Sequence, residues 1–497
     1  MTDEDQSTDH HVGDGNDGQS LGTTAARGFI RANLGIVVRY GSGLVLAAVL
    51  ARTLDPGAYA VMVTLMIVTF YFDNALDLGM GAALVYEQEK GISRRVQVAF
   101  TANVALASVL AAVAFFSAPL VVDYFRLGGP AVAVFRCLAV VVLLSGLTTV
   151  PWALFTREME FRTRSFVEVA RDSTRLVVTI GLVVAGVKGW AVILGLIAAY
   201  AVWLVLTWAL VRFRPRLVWD RAIVGELWSY AWKMAGSRLL GILSLNGDYL
   251  VVGNRQSKPN YSLYYQAFRL PEVVMGGQLN AMSAVLFPMY SRVRAEGMEA
   301  VRNAMYAALR LVALFSVPVG VGLALVARDS MLLMYGRTVT QGVQTMEVIA
   351  LTGCVVGLGF ATGDLLFALG KPGIMIRLNA VMVPSMLVAM WFVAPSGIQW
   401  VAVVHLVTAV VFTAARQLIV NRIVAAPFLP VLGALVPGLV VALFVTAAAL
   451  PVRLLTDAGL VSLVAIVAAG AVGGALALAV YRPARAELAN LAAKVRG

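Results

Sequence analysis

Apolar runs of roughly 20 residues recur along this chain from Phe29 almost to its end, each broken by a short cluster of charged residues, Pro or Gly. An α-helix rises 1.5 Å per residue, so each run is long enough to cross a hydrocarbon core about 30 Å thick. Cutting the pattern at those clusters predicts about 14 spans: 28–54, 59–86, 96–122, 131–155, 166–187, 190–211, 224–253, 261–290, 303–328, 341–370, 373–394, 401–424, 429–450 and 459–481. The loops between them reach about 15 residues at most, which leaves no room for a soluble catalytic domain. The expected fold is an all-α polytopic membrane protein.

Composition agrees: 60% of the 497 residues are hydrophobic, 13% are charged, and the mean hydropathy is +0.83. Soluble domains lie far from these values. Residues 1–27 form an exception, an acidic, Gly-containing stretch with too little apolar surface to offset ordering entropy. A disordered tail is expected there, and a signal peptide is not. Cys137 and Cys354 lie inside apolar runs and read as small core residues. No disulfide framework, metal site or cofactor motif is expected.

The net charge of +12 would suggest nucleic acid in a soluble protein, but here the bases cluster in alternate loops. Loops on the side of the N-terminus hold about three times as many Lys and Arg as those opposite. Both termini are therefore expected in the cytoplasm of a bacterial cell, with the chain in its inner membrane. Anionic headgroups, and not nucleic acid, are the partners of these loops.

Ionisable side chains inside the spans are costly and normally face an interior. The first two spans hold Arg39, Asp73 and Asp77, and the seventh and eighth hold Lys233, Arg238, Asp248, Arg269 and Glu272, whereas the last two hold none. This distribution predicts a polar cavity lined by spans 1, 2, 7 and 8. Arg39, Lys233, Arg238 and Arg269 are the candidate substrate-binding bases, suited to a phosphate or diphosphate headgroup. Asp73, Asp77, Asp248 and Glu272 are candidates for ion coupling or for charge pairing with nearby arginines. Arg171, Asp172 and Arg175 read as a local pair near the interface, Arg136 and Arg310 as snorkelling, and His405 as a packed histidine.

The stretches 34–95 and 227–294 share one plan: a span with a buried base, a short polar turn, then a Tyr-bearing span ending in a basic loop. Two six-helix halves in the same orientation follow, related by an axis along the membrane normal. The expected organisation is an N-terminal lobe over 28–222, a second lobe over 223–427, two further helices over 428–481 and a basic cytoplasmic tail over 482–497.

Six short motifs occur in order: Leu50-Ala-Arg-Thr-Leu-Asp-Pro-Gly-Ala-Tyr59, Leu76-Asp-Leu-Gly-Met-Gly-Ala-Ala-Leu84, Leu154-Phe-Thr-Arg-Glu-Met-Glu-Phe-Arg162, Asn246-Gly-Asp-Tyr-Leu-Val-Val-Gly253, Tyr264-Tyr-Gln-Ala-Phe-Arg-Leu270 and Leu286-Phe-Pro-Met-Tyr-Ser-Arg292. Together they resemble the polysaccharide-transporter branch of the multidrug/oligosaccharidyl-lipid/polysaccharide exporter superfamily, the Wzx-type flippases. The resemblance implies two six-helix lobes, alternating access, and a polyprenyl-diphosphate-linked oligosaccharide as cargo. It places headgroup contacts at Arg39, Arg52 and Arg269, and matches Asp77 and Asp248 to acidic positions of the family. Membrane lipids, a polysaccharide polymerase and glycosyltransferases are the implied partners. Gly247 and Gln266 depart from the family pattern. The alternatives are a membrane glycosyltransferase or polymerase, a lipid II flippase, and a cation-coupled antiporter. Short, mostly basic outside loops disfavour the enzyme, and an Arg-rich cavity disfavours a cationic cargo.

Overall fold

The computed structural model describes residues 41–76, 92–157, 161–211, 214–336 and 340–485, apart from the side chains at 92–93, 155–157, 161–162, 230–238, 278, 280–281 and 284. Each predicted span coincides with a helix over its described part. These are α1 (Gly41–Thr53), α2 (Pro56–Leu76), α3 (Ile92–Tyr124), α4 with α5 (Ala131–Arg136 and Leu138–Arg157), α6 (Phe161–Val184), α7 (Ala191–Leu210), α8 (Arg221–Arg255) and α9 (Lys258–Val293). The second half continues with α10 (Met298–Leu325), the short α11 (Ala327–Tyr335), α12 (Thr340–Ala368), α13 (Pro372–Val393), α14 (Ile398–Ile423), α15 (Phe428–Leu455) and α16 (Leu460–Val480).

Ten of these segments are long and apolar enough to cross a membrane, and α1 is apolar but shorter over its described part. The three long helices that fall outside that group are α6, α8 and α9, which carry the intramembrane charges. Their polar faces must be satisfied inside the protein.

One bundle forms where α3 packs on α5, α5 on α7, α6 on α7 and α2 on α5. A second forms where α9 and α10 pack on α12, α12 on α14, and α13 on α8 and α14. α8 belongs to both. Its Ile223 and Leu227 sit among Val96, Phe100, Val150 and Trp208 of the first bundle, while its later turns pack on α13.

The helices α15 and α16 pair with each other and lie on α10. Arg453 of α15 donates to the Ala324 carbonyl at 3.1 Å and is ion-paired with Glu347 of α12, and Arg328 Nη2 donates to the Thr456 carbonyl at 2.6 Å. The fully buried Asp329 accepts from the Gly459 amide at 3.0 Å. Close approach of α15 to α10 depends on Gly438, because a Cβ there would collide with the Ala313 carbonyl, a backbone group that cannot swing away. Gly438→Val should therefore cost about 1–3 kcal/mol through overpacking and lower the melting temperature in detergent. An unchanged melting temperature would refute this account of the contact.

The two turns of the internal repeat are built alike. Asp55 caps α2, its Oδ2 accepting from the amides of Gly57 at 2.9 Å and Ala58 at 3.0 Å, and Pro56 follows. Ser257 caps α9 by accepting from the Asn260 amide at 3.4 Å, with Pro259 in the first turn. Proline is tolerated there because a first-turn amide lacks an intrahelical acceptor. Four residues after each cap stands a tyrosine, Tyr59 and Tyr261, and both are 1% exposed.

Candidate functional site

The two repeat turns meet at one end of the molecule and close it. Tyr261 stacks on Phe125 with ring centroids 6.0 Å apart, and its hydroxyl lies 3.4 Å from Thr64 Oγ1 of α2. Tyr59 meets Tyr265 edge to face at 6.2 Å. Backbone acceptors join in: Ser262 Oγ donates to the Pro56 carbonyl at 3.1 Å, Lys258 Nζ to Leu127 at 3.1 Å and Asn254 Nδ2 to Tyr124 at 2.8 Å. Arg52, at the end of α1, donates to the carbonyls of Leu333 and, at 3.2 Å, Met334. Those carbonyls belong to the last turn of α11, which a left-handed Gly336 (φ +74°) terminates, so the guanidinium supplies donors that the helix end lacks. At the opposite end, the cross-bundle ion pairs among the described residues join the start of α3 to the approach and first turns of α8: Arg94 with Asp220 at 3.0 Å and Arg95 with Glu226 at 2.8 Å.

Below the closed end, α1, α2, α6 and α9 converge. Arg269 stands eleven residues into α9, about 16 Å from its start, and Arg175 stands fourteen residues into α6, about 21 Å from its start. Both are thus near mid-depth. Arg269 Nη1 holds Glu272 Oε2 at 2.9 Å, its guanidinium lies 5.9 Å from the Tyr265 ring centre, and it rests on Gly43 of α1, where a Cβ would displace it. Pro271, two residues on, leaves the Ala267 carbonyl without its helical donor beside this group. Arg175 is within electrostatic range of Tyr265 and Arg269 across the bundle boundary and of Tyr200 and Asp172 on its own side. Its Nη2 touches the Met66 thioether.

A polar cluster in the first bundle adjoins this point. Asp73 accepts from Ser145 Oγ at 2.8 Å and from the Tyr200 hydroxyl. Arg171 pairs with Asp172 at 3.1 Å and lies 5.2 Å from the centre of the Trp203 ring. In the second bundle, Asp248 is 1% exposed and accepts from Tyr264 Oη at 2.7 Å. Tyr249, Tyr264 and Phe268 pack around it with centroid separations of 5.6–5.8 Å, and His405 packs on Phe268 at 5.8 Å.

The structure thus brings Arg269, Glu272 and Asp248 towards the boundary between bundles and sets Asp73 in the first bundle beside Arg171. It places Arg52 elsewhere, about 14 Å along α1 from Gly43, in the closed end. Arg39 and Asp77 lie outside the described residues, and so do the side chains of Lys233 and Arg238 on α8. Arg136 of α4 rests its guanidinium 5.0 Å from the centre of the Phe115 ring. Sequence reasoning undervalued Arg175. The signal was present: Arg171, Asp172 and Arg175 put two bases against one acid within one turn, so one base had to look elsewhere. Among the described residues, no group of three or more His, Cys, Asp or Glu could hold a metal.

Residues 49–344 match the family model described as "Polysaccharide biosynthesis protein". The chain belongs to that family. It is 24% identical to the succinoglycan biosynthesis transport protein ExoT of Rhizobium meliloti over 63% of either chain. It is 22% identical to the teichuronic acid biosynthesis protein TuaB of Bacillus subtilis, covering 61% of this chain and 62% of that protein. The chain therefore matches somewhat under two thirds of the length of these two relatives. The lipopolysaccharide biosynthesis protein WzxC of Escherichia coli is 25% identical over 69% of this chain and 70% of its own. Among solved structures, a lipid II flippase MurJ in an inward closed conformation superposes with a TM-score of 0.74 at 12% identity, covering 91% of this chain and 98% of that one. An inward-facing multidrug-resistance MATE transporter gives 0.63 at 14% identity over 80% and 98%. The fold is that of the MOP superfamily, and this member of the polysaccharide biosynthesis family is an integral multi-pass membrane protein.

Proposed function

We propose that this protein flips a polyprenyl-diphosphate-linked oligosaccharide, a precursor of cell-surface polysaccharide, from the cytoplasmic to the outer leaflet by alternating access. The observation that carries the reading is Arg269, held at mid-depth on the boundary between two bundles in a chain whose relatives are named for polysaccharide transport. A guanidinium there suits an anionic headgroup crossing between leaflets, while the prenyl tail stays in lipid. In this reading the chain makes fourteen crossings of the bacterial inner membrane, with both termini cytoplasmic and no catalytic step. Residues 28–222 and 223–427 form the lobes, and 428–481 the added pair. The closed end then faces outward, Arg52 acts in its gate, and cargo enters from the cytoplasm. Glycosyltransferases that build the cargo and a polymerase that consumes it are the partners.

The test reconstitutes the pure protein in liposomes with a fluorescent undecaprenyl-diphosphate oligosaccharide and follows transbilayer movement by quenching. Protein-dependent movement without chemical change of the lipid is expected. A shortened or extended glycan would overturn the transporter reading in favour of an enzyme.

A further inference from the structure

Arg175 has no place in the expectations drawn from sequence, yet its surroundings are unusual for a buried cation. Its Nε is buried without a hydrogen-bond partner, and the contact of Nη2 is a thioether, a weak acceptor. Among the described residues no carboxylate lies within ion-pair distance: Asp172, one turn away, is engaged by Arg171. Arg269 faces it from the other bundle and also leaves a buried Nε without a partner. Glu272 balances the charge of Arg269, whereas nothing comparable balances Arg175. Two guanidinium groups near each other in a low-dielectric setting repel, and an anion between them turns repulsion into attraction. Each orphaned N–H is a donor waiting for an oxygen.

We propose that Arg175 and Arg269, one from each bundle, form a two-armed clamp in which each guanidinium takes one phosphate of a diphosphate, so that the site selects diphosphate over monophosphate carriers. This deepens the flippase reading and rests on it for the identity of the lipid. The clamp also gives the cargo a mechanical role, since a diphosphate held from both sides ties the bundles together while it is bound.

The test measures binding of undecaprenyl diphosphate, undecaprenyl monophosphate and inorganic pyrophosphate to the purified full-length protein in detergent. The wild type should prefer the diphosphate lipid by about tenfold or more, the size expected from an added charge-assisted hydrogen bond. Arg175→Gln should erase most of that preference with little effect on the monophosphate, and Arg175→Lys should restore part of it. Melting temperatures establish that each variant is folded, and Arg175→Met, which keeps the packing against Met66, replaces Arg175→Gln if that variant melts early. Equal wild-type affinity for both lipids, or an unchanged preference in the variants, overturns the clamp. Tighter binding of free pyrophosphate than of the lipid reassigns the site to a soluble anion and also overturns it. The transport assay separates the two readings. Normal flipping in an Arg175 variant with undiminished diphosphate preference removes the clamp alone, whereas an Arg175-dependent preference in a wild type that moves no lipid removes the flippase reading alone.

Discussion

Arg269→Ala should bring transbilayer movement of the diphosphate-linked oligosaccharide down by about tenfold to a hundredfold, the consequence of losing charge-assisted hydrogen bonds in a water-poor site. Folding should survive. The partner left behind, Glu272, has a side chain 46% exposed, so its charge stays solvated when the arginine is gone. The space vacated lies against Gly43, on the boundary between bundles rather than inside either core. Arg269→Lys should retain only part of the rate, because an ammonium cannot span Glu272 and a phosphate with a rigid fork. Quenching kinetics in liposomes and a melting curve in detergent together check this. A wild-type rate in the alanine variant would remove Arg269 from the transport path.

Gly253→Ala should push the closed end open. A methyl there would overlap the ring of Phe125 and approach Tyr261, the two rings whose stacking seals the bundles. Overpacking of this kind costs about 1–3 kcal/mol, and the protein can relieve it by leaving the closed arrangement. A bias of that size moves a two-state population by about fivefold to 150-fold. Spin labels on the exposed Thr53 and Ser396, one from each bundle, should show a longer distance component in the variant. Transport should slow, because the state that closes the outside becomes scarce. An unchanged distance distribution would mean that Phe125 swings aside and that Gly253 is no part of the seal.

The helices were legible because lipid leaves the chain few choices: every backbone amide and carbonyl must be satisfied within its own segment, and apolar run length then sets where each helix begins and ends. The repeat was legible as well, since Asp55-Pro56 and Ser257-Lys258-Pro259 are local capping signals with a tyrosine at a fixed distance. Relations between distant segments were not legible. Arg52 sits at a span boundary in the sequence, and nothing local says that its acceptors are the carbonyls of Leu333 and Met334, more than 280 positions away. Arg175 was masked by its neighbours, because spacing alone lets Asp172 pair with either Arg171 or Arg175, and only packing decides between them.

α8 is a rod of 35 residues, about 52 Å long, seated in the first bundle at one end and in the second at the other. In mechanical terms it is a connecting rod between two bodies that must turn against each other. A tilt imposed where Ile223 and Leu227 are gripped is delivered, with the leverage of the whole membrane thickness, to the turn beside Ser257 that seals the far side.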